Sequence, residues 1–495
     1  MGENKSYFGK IVLLIFLSIV AFGIIRGVLP KRLFPEQKLD GQNIIIDSLL
    51  LNAMDGTDLK VDSIDNKGLQ GVPGDSIQVV DTTDVIKYAT DPTLSVDGYN
   101  NLNRFYEKLY KLEAEKKGQV RIAYFGDSMT DGDLIVQDIR SDLQDKYGGE
   151  GVGFVSITSL SASSRYSVSH QYSKNWTTQS YIKVKKPMAP FGIDGQVFFT
   201  GKSGNHWVKY RAQGIKHAYT LNNPTLFYGR SDNSNAYITY KIGKDTIRKD
   251  LAPSALLNTV RLSGSIKALE VKFHNADSIP FYGFNFDNGY GIHIDNYSMR
   301  GNSGLPLSVL STGMMNTLDS KLGSYDLIIL QYGANVLSVG AKSFDWYERN
   351  MTRVVEHLHK CFPNADILII STADKATKID EIMKTDPGVY ILLKAQKNYA
   401  RKTGSGFINL FSLMGGDGSM AKWVDEHHLA GKDYTHFTAG GAKKIAGFIH
   451  DELIKGYDKY KTSRGILISD TEEEVSEDTE AELEAVETTE ADEVN

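Results

Sequence analysis

The chain has 495 residues, 41% of them hydrophobic, and a formal net charge of −6 at pH 7. This length and apolar content are typical of a globular protein with room for two or three domains. Its single cysteine, Cys361, excludes intramolecular disulfides and any cysteine-rich metal site.

The N-terminus carries a membrane signal. Residues 11–25 form an uninterrupted run of apolar or small side chains, preceded by Lys5 and Lys10. The run is shorter than the ~20 residues that usually span a bilayer, and residues 27–29 extend it if Arg26 lies at the interface. A small-x-small cleavage pattern occurs only inside the run, which favours an uncleaved signal anchor over a cleaved signal peptide. Basic residues flank both sides, so charge does not fix the orientation.

Residues 31–95 are polar, with Asp, Gly, Asn and Thr scattered among short apolar clusters, and are predicted to form a stalk. They include a Gly-Asp-Ser tripeptide at 74–76, which follows a proline in a polar stretch and is interpreted as a turn. From 101 to 117, apolar residues recur at helical spacing, which predicts an amphipathic helix that packs on the domain that follows.

From residue 121 onward, predicted strands and helices alternate. Strands are predicted near 121–125, 292–299, 325–331, 366–371 and 406–410, and helices near 130–146, 305–316, 342–361, 387–402 and 438–456. This alternation predicts an α/β fold with a parallel sheet and helices on both faces. Open sheets of this kind hold their ligands beyond the carboxyl ends of the strands.

One connection is far longer than a loop, because about 140 residues separate the predicted helix at 130–146 from the strand at 292–299. Short β-type runs at 181–184, 196–199, 236–240 and 268–273 are separated there by Asn, Ser, Gly and Asp turns. They predict an inserted all-β domain, most simply a sandwich. Its aromatic residues are candidates for a sugar-stacking face, with core packing as the alternative for each: Trp176, Trp207, Tyr210, Phe227 and Tyr228.

The C-terminus has a different composition from the rest of the chain. Residues 470–495 contain 13 acidic side chains and no Lys or Arg, which predicts a solvated, disordered tail. Without these 13 charges the formal charge changes from −6 to +7. The positive charge is spread along the chain without long basic runs, so it does not indicate nucleic-acid binding.

Four short motifs stand at the ends of predicted strands or before predicted helices. In chain order they are Gly126-Asp127-Ser128 with Thr130 and Gly132, then Gly301-Asn302-Ser303-Gly304, then Gly333-Ala334-Asn335, and finally Asp433 and His436 in an Asp-x-x-His string. Together, and in this order, they resemble the four blocks of the SGNH/GDSL hydrolase superfamily, which supply Ser, Gly, Asn and His.

The resemblance implies a three-layer α/β/α, flavodoxin-like parallel sheet with the all-β sandwich inserted into it. The position of the insertion is similar to that in two-domain peptidoglycan and polysaccharide O-acetylesterases and O-acetyltransferases. The predicted organisation is a transmembrane signal anchor (1–30), a polar stalk (31–95), a discontinuous hydrolase domain (96–150 and 291–460), an inserted carbohydrate-module-like β-sandwich (151–290) and an acidic disordered tail (466–495).

The resemblance also implies roles for the motif residues in acyl transfer. Ser128 would attack an ester carbonyl, His436 would take its proton and later protonate the leaving alkoxide, and Asp433 would orient the imidazole. A serine between a buried strand and a predicted helix also has an exposed hydroxyl and a backbone N–H near the positive end of that helix. Asp127 is interpreted as structural, fixing the turn through its carboxylate.

The oxyanion of the tetrahedral intermediate needs donors that are already aimed at it. The predicted donors are the backbone N–H groups of Ser128 and Gly304 and the side-chain amide of Asn335. Gly301 is the alternative to Gly304, since both could also be plain turn glycines.

No cofactor is predicted, because serine acyl transfer needs none and no Walker, Rossmann or kinase pattern occurs. Acidic residues beside His427 and His428 form the one arrangement that invites a metal interpretation. Adjacent side chains diverge in most backbones and a third ligand is not evident, so no metal site is predicted.

The sequence therefore predicts a membrane-anchored serine esterase that removes O-acetyl groups from a cell-envelope polysaccharide, either peptidoglycan or an exopolysaccharide. The family resemblance, together with the single short hydrophobic segment, implies that the catalytic domain lies on the extracytoplasmic, periplasmic side of the cell membrane. One alternative is an O-acetyltransferase that uses the same acyl-serine and receives acetyl groups from a membrane partner protein. Another is a non-catalytic polysaccharide-binding protein. The predicted partners are the acetylated polysaccharide and the membrane, and not nucleic acid.

Overall fold

The computed structural model describes residues 47, 49–50 and 96–466, except 203, 243, 263, 341 and 342. The predicted anchor, most of the predicted stalk with the tripeptide at 74–76, and the acidic tail after residue 466 lie outside the described residues. Within the described part, no helix is both long enough and apolar enough to cross a membrane.

The strands are β1 (Val96–Asp97), β2 (Gln119–Gly126), β3 (Gly153–Ser156), β4 (Val168–Tyr172), β5 (Thr177–Ser180), β6 (Gln196–Phe199), β7 (His206–Ala212), β8 (Thr225–Gly229), β9 (Tyr237–Ile242), β10 (Asp245–Asp250), β11 (Leu257–Arg261), β12 (Ala268–His274), β13 (Phe281–Phe286), β14 (Gly291–Asn296), β15 (Leu327–Gln331), β16 (Asp366–Ile370), β17 (Ala376–Ile379), β18 (Ile382–Thr385) and β19 (Gly406–Ile408). The α-helices are α1 (Asn103–Glu115), α2 (Val136–Tyr147), α3 (Thr312–Leu322), α4 (Ala334–Leu337), α5 (Asp345–Cys361), α6 (Pro387–Lys402), α7 (Leu410–Leu413), α8 (Ser419–Asp425) and α9 (Ala439–Ser463). Short 3₁₀ helices lie at Tyr99–Leu102, Asp131–Asp133 and Leu305–Val309.

A sheet of order β1-β19-β16-β15-β2-β14 contains the strands that precede the sequence motifs. Its neighbours run parallel, except for the antiparallel edge pair of β1 and β19. Strands β15 and β16 are buried at every residue, and β2 at every residue after its first. This pattern is that of parallel strands covered on both faces. The predicted mixed α/β fold with a parallel sheet is therefore confirmed.

One core joins this sheet to helices from both ends of the described chain. Tyr124 of β2 and Ile329 of β15 pack in the same cluster as Phe105 of α1, Ile139 of α2 and Ile445 of α9. Each is at most 1% exposed, and burial of such a side chain contributes about 1.5–3 kcal/mol. The cluster therefore holds the carboxyl ends of β2 and β15 and the start of α9 in fixed relative positions.

The helix predicted at 130–146 begins later than expected. A 3₁₀ turn follows the serine motif, and α2 starts only at Val136. Gly132 and Asp133 have φ angles of 76° and 68°, which are incompatible with a continuous right-handed helix. Asp133 is held in this conformation by Arg140, whose Nη1 lies 2.8 Å from its Oδ2. The prediction that Ser128 stands at the start of a long helix is therefore wrong, and its backbone N–H belongs to a turn.

Residues 153–286 form two antiparallel sheets of order β10-β9-β12-β7-β4 and β11-β8-β13-β6-β5, with β3 paired to β13. Val208 of the first sheet and Leu226 of the second belong to one buried cluster. The predicted β-type run at 181–184 is a turn instead, in which the Lys183 and Val184 N–H groups donate to the Ser180 carbonyl oxygen.

The candidate sugar-stacking aromatics are mostly core residues. Tyr210, Phe227 and Tyr228 are 1–3% exposed, so the stacking hypothesis is wrong for them. Trp176 is partly buried and packs against the same cluster. Trp207 is partly exposed, with the Lys209 ammonium 5.0 Å from its ring centroid.

A buried ion-pair network connects the parallel sheet to the antiparallel sheets. Arg121 of β2 is 1% exposed and places Nη1 2.8 Å from Asp287 Oδ2 and Nε 2.8 Å from Asp295 Oδ2. The hydroxyl of Tyr325 donates to Asp295 Oδ2 at 2.6 Å. One arginine thus compensates two carboxylates that lie after β13 and within β14.

Candidate active site

Three residues from two distant motifs form a hydrogen-bonded chain. Ser128 lies in the turn after β2, and its Oγ is 2.9 Å from Nε2 of His436. Nδ1 of His436 is 2.7 Å from Oδ2 of Asp433. The side chains of His436 and Asp433 are 48% and 53% exposed, and Ser128 is partly exposed, so a solvent-borne substrate can reach the hydroxyl. Hydroxyl, imidazole and carboxylate stand in the order that nucleophilic acyl transfer requires.

The Asp-x-x-His spacing is explained by a local turn. Oδ1 of Asp433 accepts hydrogen bonds from the N–H groups of Thr435, at 3.2 Å, and His436, at 3.1 Å. Tyr434 has a left-handed φ of 52°, and Thr438 then caps α9 by accepting from the Gly441 N–H. One carboxylate oxygen thus closes the turn, which leaves the other oxygen to hold the imidazole.

Electrostatics favours the charged form of the His436–Asp433 pair. The hydrogen bond from His436 is the largest cause that lowers the pKa of Asp433 to about 2, against the effect of partial burial. The same hydrogen bond raises the pKa of His436 above its ordinary value, while burial opposes the shift. Asp433 therefore stabilises the imidazolium that forms when His436 accepts the serine proton.

Asp127 links the serine turn to the Gly333-Ala334-Asn335 motif. Its Oδ1 accepts from the Met129 N–H at 2.9 Å, and the N–H groups of Gly333 and Ala334 also lower the pKa of its carboxyl. Burial raises its pKa to about 6, although these hydrogen bonds oppose the shift. Asp127 thus fixes more than its own turn, because it also sets the start of the segment that carries Asn335.

Asn335 keeps a donor hydrogen that could stabilise the oxyanion, whereas the N–H of Gly304 is already hydrogen-bonded. Asn335 Nδ2 donates to the Asn302 carbonyl oxygen at 3.0 Å, which uses one of its two amide hydrogens. The Gly304 N–H already donates to Asn302 Oδ1 at 2.9 Å. Gly304 has a φ of 91°, and a Cβ there would lie 2.9 Å from Tyr332 Cδ2 and 3.2 Å from Met351 Cε. It is therefore packed in the interior with its donor in use.

Gly301 meets the requirements of a donor better than Gly304. Its φ is 78°, and within the described chain neither its N–H nor that of Ser128 donates a hydrogen bond. The preceding strand end is tied to the serine motif, because the Met299 N–H donates to the Gly126 carbonyl oxygen at 3.0 Å. Among the described residues, the Gly301 N–H is thus available as a donor, whereas the Gly304 N–H is already in use.

Two neighbours of the site were not predicted from the sequence. Arg300 is 53% exposed, places its Nε 2.8 Å from Asp131 Oδ2 and lowers the pKa of His436 electrostatically, against the dominant effect of Asp433. Its position directly before the motif at 301–304 was the available signal in the sequence. Asp47 contacts Ser303, 256 positions later in the chain, and no local pattern marks such a pair.

Asp425 and His428, from the group of acidic residues and histidines at 425–428, have other contacts. Tyr434 donates its hydroxyl to Asp425 Oδ1 at 2.9 Å, and His428 Nδ1 lies 3.3 Å from the Val424 carbonyl oxygen. In the part of the chain that the structure describes, no group of three or more His, Cys, Asp or Glu residues is arranged to hold a metal ion.

Comparison with known proteins supports the fold. A peptidoglycan O-acetylesterase matches 75% of this chain and 98% of its own, with a TM-score of 0.59 and 21% identity. Two other structures are more distant. A family two carbohydrate esterase from Cellvibrio japonicus matches 59% of this chain and 98% of its own, with a TM-score of 0.24 and 12% identity. A GDSL-like lipase from Parabacteroides merdae matches 33% of this chain and 74% of its own, with a TM-score of 0.25 and 14% identity. No protein-family model and no curated protein matches the chain. The chain thus shares its fold with a peptidoglycan O-acetylesterase over most of both chains.

Proposed function

We propose that this protein is a serine esterase that removes O-acetyl groups from a cell-envelope polysaccharide through an acyl-enzyme on Ser128. The observation that carries the proposal is the chain of hydrogen bonds from Ser128 Oγ through His436 to Asp433. The substrate class is supported by the peptidoglycan O-acetylesterase, which shares the fold over most of both chains.

The first half-reaction forms the acyl-enzyme. Ser128 Oγ attacks the ester carbonyl carbon while its proton passes to Nε2 of His436. When the tetrahedral intermediate collapses, the bond to the sugar oxygen breaks and His436 returns the proton to that oxygen. In the second half-reaction, His436 takes a proton from water and the resulting hydroxide attacks the acyl carbonyl carbon. The bond from that carbon to Ser128 Oγ then breaks, which releases acetate, and His436 returns the proton to Oγ. Asp433 holds the imidazole in the required orientation throughout.

Three donors stabilise the oxyanion in both half-reactions. We assign them as the backbone N–H groups of Ser128 and Gly301 and the second amide hydrogen of Asn335. The assignment is supported by the absence of other acceptors for the two backbone groups among the described residues, and by the bond from Asn335 to the Asn302 carbonyl, which orients its amide. Donors fixed before the reaction need no reorganisation when charge develops.

The proposal includes the domain organisation predicted from the sequence. The hydrolase domain comprises 96–150 and 291–460, and an inserted β-sandwich at 151–290 is supported by two antiparallel sheets that share one buried cluster. A single-pass anchor at 1–30 would hold the catalytic domain outside the cytoplasm, supported by the apolar run at 11–25.

The test uses the full chain in detergent and O-acetylated peptidoglycan, with p-nitrophenyl acetate as a second substrate. We expect acetate release that Ser128→Ala abolishes and Ser76→Ala leaves intact, because Ser76 lies in the other Gly-Asp-Ser tripeptide. A sugar acceptor is added in a parallel reaction. If acetylated acceptor forms and less acetate is released, the protein is a transferase and the proposed esterase activity is wrong. Release that persists in Ser128→Ala would refute the acyl-serine.

A further inference from the structure

Asp47 is a fully buried carboxylate beside the glycine motif. It is 0% exposed, and it accepts hydrogen bonds from the N–H groups of Leu49, at 2.8 Å, and Leu50, at 3.4 Å. It also accepts from the hydroxyl of Ser303. The sequence predicts a polar stalk at this position, but Asp47 and Leu50 are packed into the folded domain.

The environment of Asp47 is unusual for a carboxylate. Its hydrogen-bond donors among the described residues are neutral, and burial raises its pKa. Removing a carboxylate from water costs several kcal/mol unless other groups compensate, and hydrophobic residues of similar size often serve stability equally well. The presence of a carboxylate at residue 47 is therefore better explained by its hydrogen bond with a neighbouring residue than by a contribution to stability alone.

This neighbouring residue is Ser303. While Asp47 accepts from the Ser303 hydroxyl, the Ser303 carbonyl oxygen accepts from the Tyr347 hydroxyl at 2.7 Å. The preceding residue, Asn302, provides the carbonyl oxygen that holds Asn335 Nδ2 at 3.0 Å. An unbroken series of contacts thus runs from Asp47 through Ser303 and Asn302 to Asn335.

We infer that Asp47 is a positioning residue of the oxyanion hole, which fixes the loop at 301–304 and through it the Gly301 N–H and the Asn335 amide. The inference rests on the proposed function. It makes the segment around residue 47 part of the catalytic unit, although 31–95 was predicted to be a stalk. A chain that begins at residue 96 would lack this contact.

The experiment compares full-length wild type and Asp47→Asn, with Asp55→Asn as a matched control from the same polar segment. Asn preserves the shape of Asp but exchanges the charged acceptor for a neutral amide. Because oxyanion donors act mainly in the transition state, we expect kcat to fall about 10- to 100-fold while KM changes less than about twofold. Removal of an entire donor typically costs about 10²–10³. An unchanged kcat in a folded Asp47→Asn protein would overturn the inference.

A double-mutant cycle separates positioning from general stabilisation. If Asp47 acts through Asn335, the kcat losses of Asp47→Asn and Asn335→Ala combine to less than their product. Losses of kcat that multiply, or a lower thermal stability together with a higher KM, would overturn the inference.

Ser303→Ala removes the hydroxyl that donates to Asp47, and this variant provides the test if Asp47→Asn does not fold. It should reproduce the selective loss of kcat, and wild-type kcat in Ser303→Ala would contradict the inference. Absence of Ser128-dependent release in the wild type would instead refute the proposed function.

Discussion

Ser128 Oγ and His436 Nε2 lie 2.9 Å apart, although 308 positions separate the two residues. The distance is set by the core beneath them. Tyr124 in the strand before Ser128 and Ile445 in the helix after His436 belong to one buried cluster. The nucleophile and its base therefore meet at the carboxyl edge of the sheet because the elements that carry them share a core.

Asp433→Asn should change both the rate and its dependence on pH. His436 must be neutral to accept the serine proton, and the hydrogen bond from Asp433 raises its pKa, so activity falls as the pH drops through that raised value. Removing the carboxylate lowers this pKa, and the acidic limb of the kcat/KM profile should move to lower pH. The plateau should fall by up to about 10⁴. The profile is measured with p-nitrophenyl acetate, and an acidic limb that stays in place would contradict the assignment of Asp433.

Arg300→Gln should move the acidic limb of the kcat/KM profile to higher pH, opposite to the shift expected for Asp433→Asn. The guanidinium lowers the pKa of His436, although the hydrogen bond with Asp433 is the larger influence. Without the positive charge the pKa rises, and the acidic limb should shift to higher pH, most clearly at low ionic strength. Arg248→Gln is the control, because Arg248 is exposed on β10 and pairs with Asp250. A shift of equal size in both variants would show that the effect is not local.

Asn335→Ala should lower kcat by about 10²–10³ while KM changes little, because its amide acts on the charge that develops in the transition state. Asn316→Ala provides a matched control, since the Asn316 amide also donates to backbone carbonyls, those of Lys360 and Cys361. Steady-state kinetics on both variants checks the prediction. Equal losses in the two variants would remove Asn335 from the oxyanion hole.

Replacing one backbone amide by an ester distinguishes Gly301 from Gly304. Glycolate at either position removes a single N–H and leaves the side-chain environment unchanged. At 301 we expect a loss of about 10²–10³ in kcat, because a donor to the oxyanion disappears. At 304 the lost bond is to Asn302 Oδ1, so the effect on kcat should be smaller and accompanied by lower stability. A larger kcat loss at 304 would restore the original preference for that glycine.

Arg121→Met should destabilise the protein by about 3–5 kcal/mol, because Asp287 and Asp295 would remain buried without their compensating charge. The exposed pair of Arg248 and Asp250 offers a comparison, and Arg248→Met should cost less than about 1 kcal/mol. Urea unfolding of both variants measures the two changes. Equal unfolding midpoints would show that the buried network contributes no more than a surface pair.

Much of the α/β part could be predicted from local patterns. The helix predicted at 387–402 has those bounds, and the strand predicted at 366–371 ends one residue earlier. The strand is a short continuous apolar run, and the helix begins at a clear signal, the Asp386 cap before Pro387. The prediction at 130–146 was wrong at its start, because residues 132 and 133 have positive φ angles, and Asp133 forms an ion pair with Arg140.

The candidate nucleophile, base and orienting acid were predictable for a different reason. Ser128, Asp433 and His436 stand in short motifs whose residue order reflects local turns, such as the one that Asp433 closes with its own backbone neighbours. Local hydrogen bonds of this kind repeat wherever the same short sequence folds in the same way, so a linear pattern retains them.

Tertiary structure alone decided which glycine of the motif at 301–304 has an N–H with no acceptor among the described residues, and which carboxylate contacts the loop. Gly301 and Gly304 both have positive φ angles, and only the packing of Tyr332 and Asn302 around Gly304 separates them. Asp47 reaches Ser303 from 256 positions away. Composition and periodicity describe neighbours along the chain, whereas a buried hydrogen bond depends on which distant groups the folded core brings together.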